Sequence, residues 1–196
     1  MRRIVPLLLL PAMIVPASAQ TVAERLPTCL ACHGDTGVSA TENTPSLGGQ
    51  PADYLLVQLY LFREKQRHSD IMNAMASGLT DDDLRTASDR LARLTPPPVS
   101  GDPPTDQVRE QGQALVAKYR CASCHNADLA GHDQIPRLAG QREDYLAKSL
   151  REYKSNARAG YEPAMNEVAQ EVQETDIPTL ARYMNRFKAP DQGTVH

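Results

Sequence analysis

Apolar residues recur along this 196-residue chain at three- and four-residue steps, and nowhere does an apolar–polar alternation run for a useful length. From Tyr54 to Gln66, Leu55, Leu59 and Phe62 fall on one helical face, and Leu146, Leu150 and Tyr153 repeat that spacing further on. Thr80, followed by Asp81, Asp82 and Asp83, reads as an N-cap with acids against the positive end of the helix dipole. That helix continues through Leu84, Ala87, Leu91 and Leu94. Its counterpart starts near Thr175 and Asp176, tolerates Pro178 in its first turn and runs to about Phe187. Val108 to Tyr119 gives a further amphipathic helix. The pattern predicts an all-α fold.

Two segments break it. Met1-Arg2-Arg3, an apolar run from Ile4 to Val15 interrupted by Pro6 and Pro11, and Ala17-Ser18-Ala19 make a secretory signal peptide, residues 1–19, cleaved before Gln20. The apolar run is too short to span a bilayer, so no membrane span is expected after cleavage. Cleavage removes two arginines and leaves 177 residues with a net charge of −5. Such a surface offers no basic face to nucleic acid. The expected location is the periplasm, an oxidising compartment in which unmodified thiols tend to pair. The second break is Thr95 to Pro104, which holds five prolines in ten residues and reads as a stiff spacer. It divides the mature chain into 20–95 and 108–196 around a linker at 96–107.

The halves repeat each other. Cys29-Leu30-Ala31-Cys32-His33 lies over Cys121-Ala122-Ser123-Cys124-His125 at an offset of 92. Pro45-Ser46-Leu47-Gly48-Gly49-Gln50 matches Pro136-Arg137-Leu138-Ala139-Gly140-Gln141, and Tyr54 and Arg67 match Tyr145 and Arg158, all at 91. Met72-Asn73 matches Met165-Asn166 at 93. A repeat of this length suits a tandem pair of small domains. Each would have little with which to build a core: the chain is 41% apolar, with seven Tyr, two Phe and no Trp.

The two Cys-x-x-Cys-His patterns use every cysteine in the chain. The spacing puts two thiols on one side of a helical turn, with an imidazole projecting toward the same space. It suits thioether attachment of a haem, with the histidine on the iron. A disulfide framework would not require a histidine after each pair, and a four-cysteine zinc site would leave both histidines unused. A thioredoxin-like dithiol expects a βαβ setting, which the pattern lacks.

With these motifs the chain resembles the class I cytochromes c, and more closely the dihaem cytochrome c4 family, from Leu26 to Phe187. The resemblance implies two tandem domains, each wrapped around one covalently bound haem c. It implies thioethers at Cys29, Cys32, Cys121 and Cys124, and proximal iron ligands at His33 and His125. The carbonyls of Pro45 and Pro136 would receive the other ring N–H of those histidines. The remaining axial ligand would be a downstream methionine. The repeat selects Met72 over Met75, since Met75 aligns with Val168, and selects Met165 in the second half, on a loop after Gly160 and Pro163. Met184 falls at a core step of the last helix, and His68 reads as a solvated loop residue. Arg67 and Arg158 are either haem propionate contacts or surface arginines. Gln50, Gln141, Tyr54 and Tyr145 either bond near the haem or pack and cap helices.

The functional expectation is a non-enzymatic carrier of single electrons between a membrane quinol-oxidising donor and a terminal oxidase or reductase. One alternative is a dihaem subunit of an enzyme complex, docked to a flavoprotein dehydrogenase as in flavocytochrome sulfide dehydrogenases. Another is a dihaem redox enzyme with an open haem site, against which Met72 and Met165 argue.

Overall fold

Two separate cores form, one from each half of the repeat, in a computed structural model that describes residues 21–99, 104–158 and 163–188. The expected signal peptide lies outside the described residues, as do Gly160 and His196. The first half contains α1 (Val22–His33), α2 (Ala52–Arg63), α3 (Asp70–Ala76) and α4 (Asp81–Ala92). The second contains α5 (Asp106–Lys118), α6 (Ala122–His125), α7 (Glu143–Lys154) and α8 (Ala164–Glu171), then a 3-10 turn (Glu174–Asp176) and α9 (Ile177–Asn185). No strand occurs among the described residues, and none of their helices is long and apolar enough to cross a membrane.

Local chemistry sets the helix ends. The Thr80 hydroxyl accepts from Asp83 N at 3.1 Å while Thr80 N donates to the Asp83 carboxylate at 2.9 Å, closing both ends of a capping box for α4. Thr105 caps α5 through Val108 N, so this helix starts ahead of the expected Val108. The helix expected to reach Gln66 stops at Arg63, because Lys65 takes a left-handed conformation (φ 56°) that turns the chain back. Asn156 does the same after α7, also at φ 56°.

The expected methionine loops are helical instead: Met72 lies in α3 and Met165 in α8. At seven and eight residues these helices are too short for the apolar periodicity to declare itself. Their boundaries come from Ser69, whose hydroxyl accepts from Met72 N, and from Pro163 at the N-cap of α8.

In the first core Val22, Phe62, Ala76, Leu79, Leu84 and Ala87 pack where α2 crosses α4. The second is larger, with Ile177, Leu180, Ala181, Tyr183 and Met184 of α9 set against α5 and α7. The 3%-exposed Met184 is a core residue, as its helical step implies. The Pro-rich segment does not hold the halves apart. Pro96 lies against Gly49 of the first half and the Pro97 carbonyl against Gly140 of the second, so these two residues run over the junction.

The α5–α9 crossing depends on Gly112, where a Cβ would come within 2.2 Å of the Tyr183 ring. Alanine at this position gains helix propensity worth about 1 kcal/mol, but the clash outweighs it. Gly112→Ala is expected to lower stability by about 1–3 kcal/mol, read as a fall in the denaturation midpoint at constant slope.

Candidate functional site

Each half brings a cysteine pair, the following histidine and a proline carbonyl together. Cys29, Cys32 and His33 occupy the last turn and a half of α1, while Cys124 and His125 end α6, with Cys121 at its N-cap. The chain then reverses at Gly34 (φ 86°) and Asn126 (φ 66°). Leu47 N and Gly48 N donate to Gly37 O in the first half, and Leu138 N and Ala139 N to Leu129 O in the second. These bonds return the proline segment to the histidine. Nδ1 of His33 lies 2.8 Å from Pro45 O, and Nδ1 of His125 lies 2.8 Å from Pro136 O.

A carbonyl can only accept, so Nδ1 carries the proton and Nε2 keeps its lone pair. Among the described residues no side chain or backbone group bonds either Nε2. The histidines are 6% and 7% exposed, and burial holds both below the usual imidazole pKa, with the proline carbonyl opposing in part. Both are therefore neutral near pH 7, the form that binds a metal. None of the four cysteines is in a disulfide. Burial pushes the Cys29 thiol up and the Cys121 thiol up to about 11, so both are protonated thiols.

Met72 and Met165 are half-buried, Met72 against the first core. Met75 is half-buried too, and its carbonyl accepts from Arg25. The asparagine after each candidate methionine ties its helix to the preceding turn. Asn73 Nδ2 donates to Phe62 O and Arg67 O (2.6 and 2.9 Å), and Asn166 Nδ2 to Tyr153 O and Arg158 O (3.1 and 2.9 Å). His68 and His132 are exposed.

The matched glutamines bond across the junction of the halves. Gln50 of the first half donates to Arg137 O and accepts from Arg137 N, both at 3.0 Å. Gln141 of the second half donates to Ser46 O at 2.9 Å and accepts from Ser46 N at 2.8 Å. Ser46 and Arg137 are themselves matched in the repeat, so the two glutamines form a reciprocal clamp about a pseudo-two-fold axis. Both are buried, and they hold the halves together as a strand pair would.

Arg67 and Arg158 also cross this seam. Arg67 donates to the Tyr145 hydroxyl and Arg158 to the Tyr54 hydroxyl, each at 3.1 Å. Each guanidinium stacks on an aromatic ring of its own half, Arg67 on Phe62 (4.5 Å) and Arg158 on Tyr153 (4.6 Å). Gln58 Oε1 accepts from both arginines, at 2.6 Å from Arg67 and 3.1 Å from Arg158. Arg158 is 4% exposed and Arg67 half-buried, which excludes the surface reading. Gln58 escapes notice in the sequence because its partner in the repeat is Ser149, which accepts from Arg158 alone.

Among the described residues no carboxylate pairs with either arginine. Two like charges held at one seam repel, and the more so where water is excluded. The surroundings respond to the excess positive charge. Burial works to raise the Tyr145 hydroxyl, but Arg67 and Arg158 outweigh it and bring it down to about 7. Burial, with Tyr145 beside it, pushes Tyr54 up to about 12. Two arginines converging on one amide oxygen in a seam, with no carboxylate of the described residues beside them, leave a place for an anion. The carboxylates of a haem fit that deficit, as the thiol pairs and free Nε2 positions fit its vinyl groups and iron.

Residues 109–188 match the cytochrome c family model. Cytochrome c4 of Thiocapsa roseopersicina is 30% identical over 171 residues, covering 80% of this chain and 85% of the relative. The chain belongs to the cytochrome c4 family. A cytochrome c4 structure from Pseudomonas stutzeri superposes with a TM-score of 0.75 at 27% identity, covering 85% of this chain and 97% of that one. The thiosulfate dehydrogenase electron acceptor of Thiomonas intermedia is 27% identical over 171 residues, covering 82% of this chain and 79% of the relative. The fold is thus that of tandem class I cytochrome c domains, in an electron-transfer protein with covalently bound haem c.

The glutamine clamp has a direct test. Replacing Gln50 and Gln141 with Leu keeps their bulk and removes the side-chain partners of five buried or part-buried backbone groups, at about 1–3 kcal/mol for each one left unpaired. Calorimetry of the parent is expected to show one cooperative transition, and that of the double variant two.

Proposed function

We propose that this protein is a periplasmic dihaem carrier passing single electrons between a membrane quinol-oxidising donor and a terminal oxidase or reductase. The observation that carries the reading is the repetition of one site: a thiol pair and a buried neutral histidine fixed by a proline carbonyl, at matched places in both halves. The bound haem supplies the ferric–ferrous couple. In this reading Cys29, Cys32, Cys121 and Cys124 form the thioethers. His33 and His125 would hold the iron through Nε2, and Met72 and Met165 through sulfur. Pro45 and Pro136 fix the imidazole planes, which keeps the iron–nitrogen bond oriented. An iron held by a histidine and a methionine would have no place left for substrate, and the chemistry it would supply is electron exchange.

The domains are taken as 20–95 and 108–196, joined by 96–107, with export directed by residues 1–19. The acidic mature chain favours partners with basic docking surfaces. A second reading has its own support in the Thiomonas relative, a thiosulfate dehydrogenase electron acceptor. There the donor is a sulfur-compound dehydrogenase, and the chain is the electron-accepting subunit of its complex.

The carrier reading expects two haems c per chain by pyridine haemochromogen assay, and one in the Cys29→Ala/Cys32→Ala variant. Met72→Ala should remove about half of the far-red absorption of His/Met ligation, while Met75→Ala leaves it intact. A single haem in the parent, or the opposite behaviour of the two methionines, contradicts the site. Mixing oxidised protein with quinol-reduced membranes, and separately with thiosulfate and its dehydrogenase, decides between donors. Reduction by the dehydrogenase alone favours the second reading.

A further inference from the structure

Helix α3 turns an apolar face to water, where a surface helix ordinarily carries polar residues. Its inner side is accounted for: Met72 and Ala76 meet the first core, and Asn73 bonds the turn after α2. Opposite them lie Ile71 and Ala74, with Gly78 continuing the same face just past the helix end. All three are exposed, and a Cβ added at Gly78 would meet nothing within 4 Å. Ile71 is 71% exposed, the most of any large apolar side chain among the described residues. The repeat sharpens the contrast. At the matched places α8 carries Ala164, Glu167 and Glu171, so the second half has carboxylates where the first has an apolar surface. Acids flank the α3 face instead. Asp70 opens the helix, and Asp81, Asp82 and Asp83 follow Gly78. Glu24 joins them, because Arg25 Nη2 donates to Met75 O and brings α1 alongside the end of α3. Arg63 and Arg85 are paired with Asp81 and Asp82, which leaves Arg25 against Glu24, Asp70 and Asp83.

We propose that the outer face of α3, centred on Ile71, is the docking site of a redox protein that presents an apolar patch edged with lysines or arginines. The proposal rests on the carrier reading above and adds where on the chain that partner sits. The exposed apolar surface supplies the contact that holds, and the acids flanking it supply steering and orientation. A second copy of this chain fits poorly, since two such faces would bring carboxylates against carboxylates. Met72 lies on the inner side of the same helix, so a seated partner is separated from it by the width of one helix, about 10 Å with side chains. The same partner laid on α8 would have to strip water from Glu167 and Glu171 at the centre of the contact. It therefore tells the halves apart and exchanges electrons at the first.

The test variant Ile71→Ser/Ala74→Gln changes only exposed side chains, and Ala164→Ser/Glu167→Gln is its match in the second half. The probe is mitochondrial cytochrome c, a basic protein with a lysine-edged apolar face, mixed with the reduced holoprotein by stopped flow. The parent's second-order rate constant should fall as ionic strength rises. At fixed ionic strength it should fall roughly tenfold in the first variant, from the lost apolar contact, and stay unchanged in the second. Oxidation by ferricyanide, a small ion that needs no docking face, should run at one rate in all three proteins. A parent rate indifferent to salt, an unchanged rate in Ile71→Ser/Ala74→Gln, or an equal fall in both variants overturns the docking site. So does a parent dimer in sedimentation that the first variant dissociates, since a second copy then covers the face. In each of these cases two haems and undiminished far-red absorption leave the carrier reading standing. A parent that gives up no electron even to ferricyanide overturns the carrier reading and the docking site together.

Discussion

Arg158 lies almost wholly out of water at the junction of the halves, with Arg67 beside it, and no carboxylate of the described residues answers either. Burying a cation costs several kcal/mol unless it is paired and hydrogen-bonded. Here the hydrogen bonds are present and the pairing charge is not. Tyrosine hydroxyls, an amide oxygen and aromatic faces ease the deficit without closing it. In the proposed reading the carboxylates of bound haem would supply the missing acids. Placement of the rest follows. The turns at Lys65 and Asn156 aim the arginines inward, and Asn73 and Asn166 hold those turns to the methionine helices.

A second consequence concerns the relation of the halves. Polar pairing across the junction is directional in a way that apolar packing is not. Gln50 and Gln141 each satisfy a backbone donor and acceptor in the opposite half, which fixes register and distance together. Pro96 and Pro97 lie over Gly49 and Gly140 and close the same junction from outside. In the proposed dihaem reading, such a frame would set the separation of the two redox centres, a requirement for electron exchange within one molecule.

Much of this was legible before any coordinates. The all-α character, the two-domain repeat and the Cys-x-x-Cys-His sites follow from period and spacing, because each is a short-range pattern. Helices α3 and α8 escaped because seven or eight residues carry too few apolar steps. The matched Gln50, Gln141, Tyr54 and Tyr145 stood out as repeated residues, but their roles were illegible. Their partners lie 78 to 104 residues away, and only the docking of the halves brings them together. Gln58 gave no signal at all, since a comparison of the halves finds only what they share. The thin apolar composition was a fair clue: the first core has few large side chains, as expected of a domain that packs around a cofactor.

The most direct test of this account is the fate of one electron delivered to the fully oxidised protein by pulse radiolysis. A seam that fixes two centres in one molecule predicts redistribution between them with a first-order rate that does not change with protein concentration. A rate that scales with concentration, showing that electrons move between the centres only by collision of separate molecules, would contradict it.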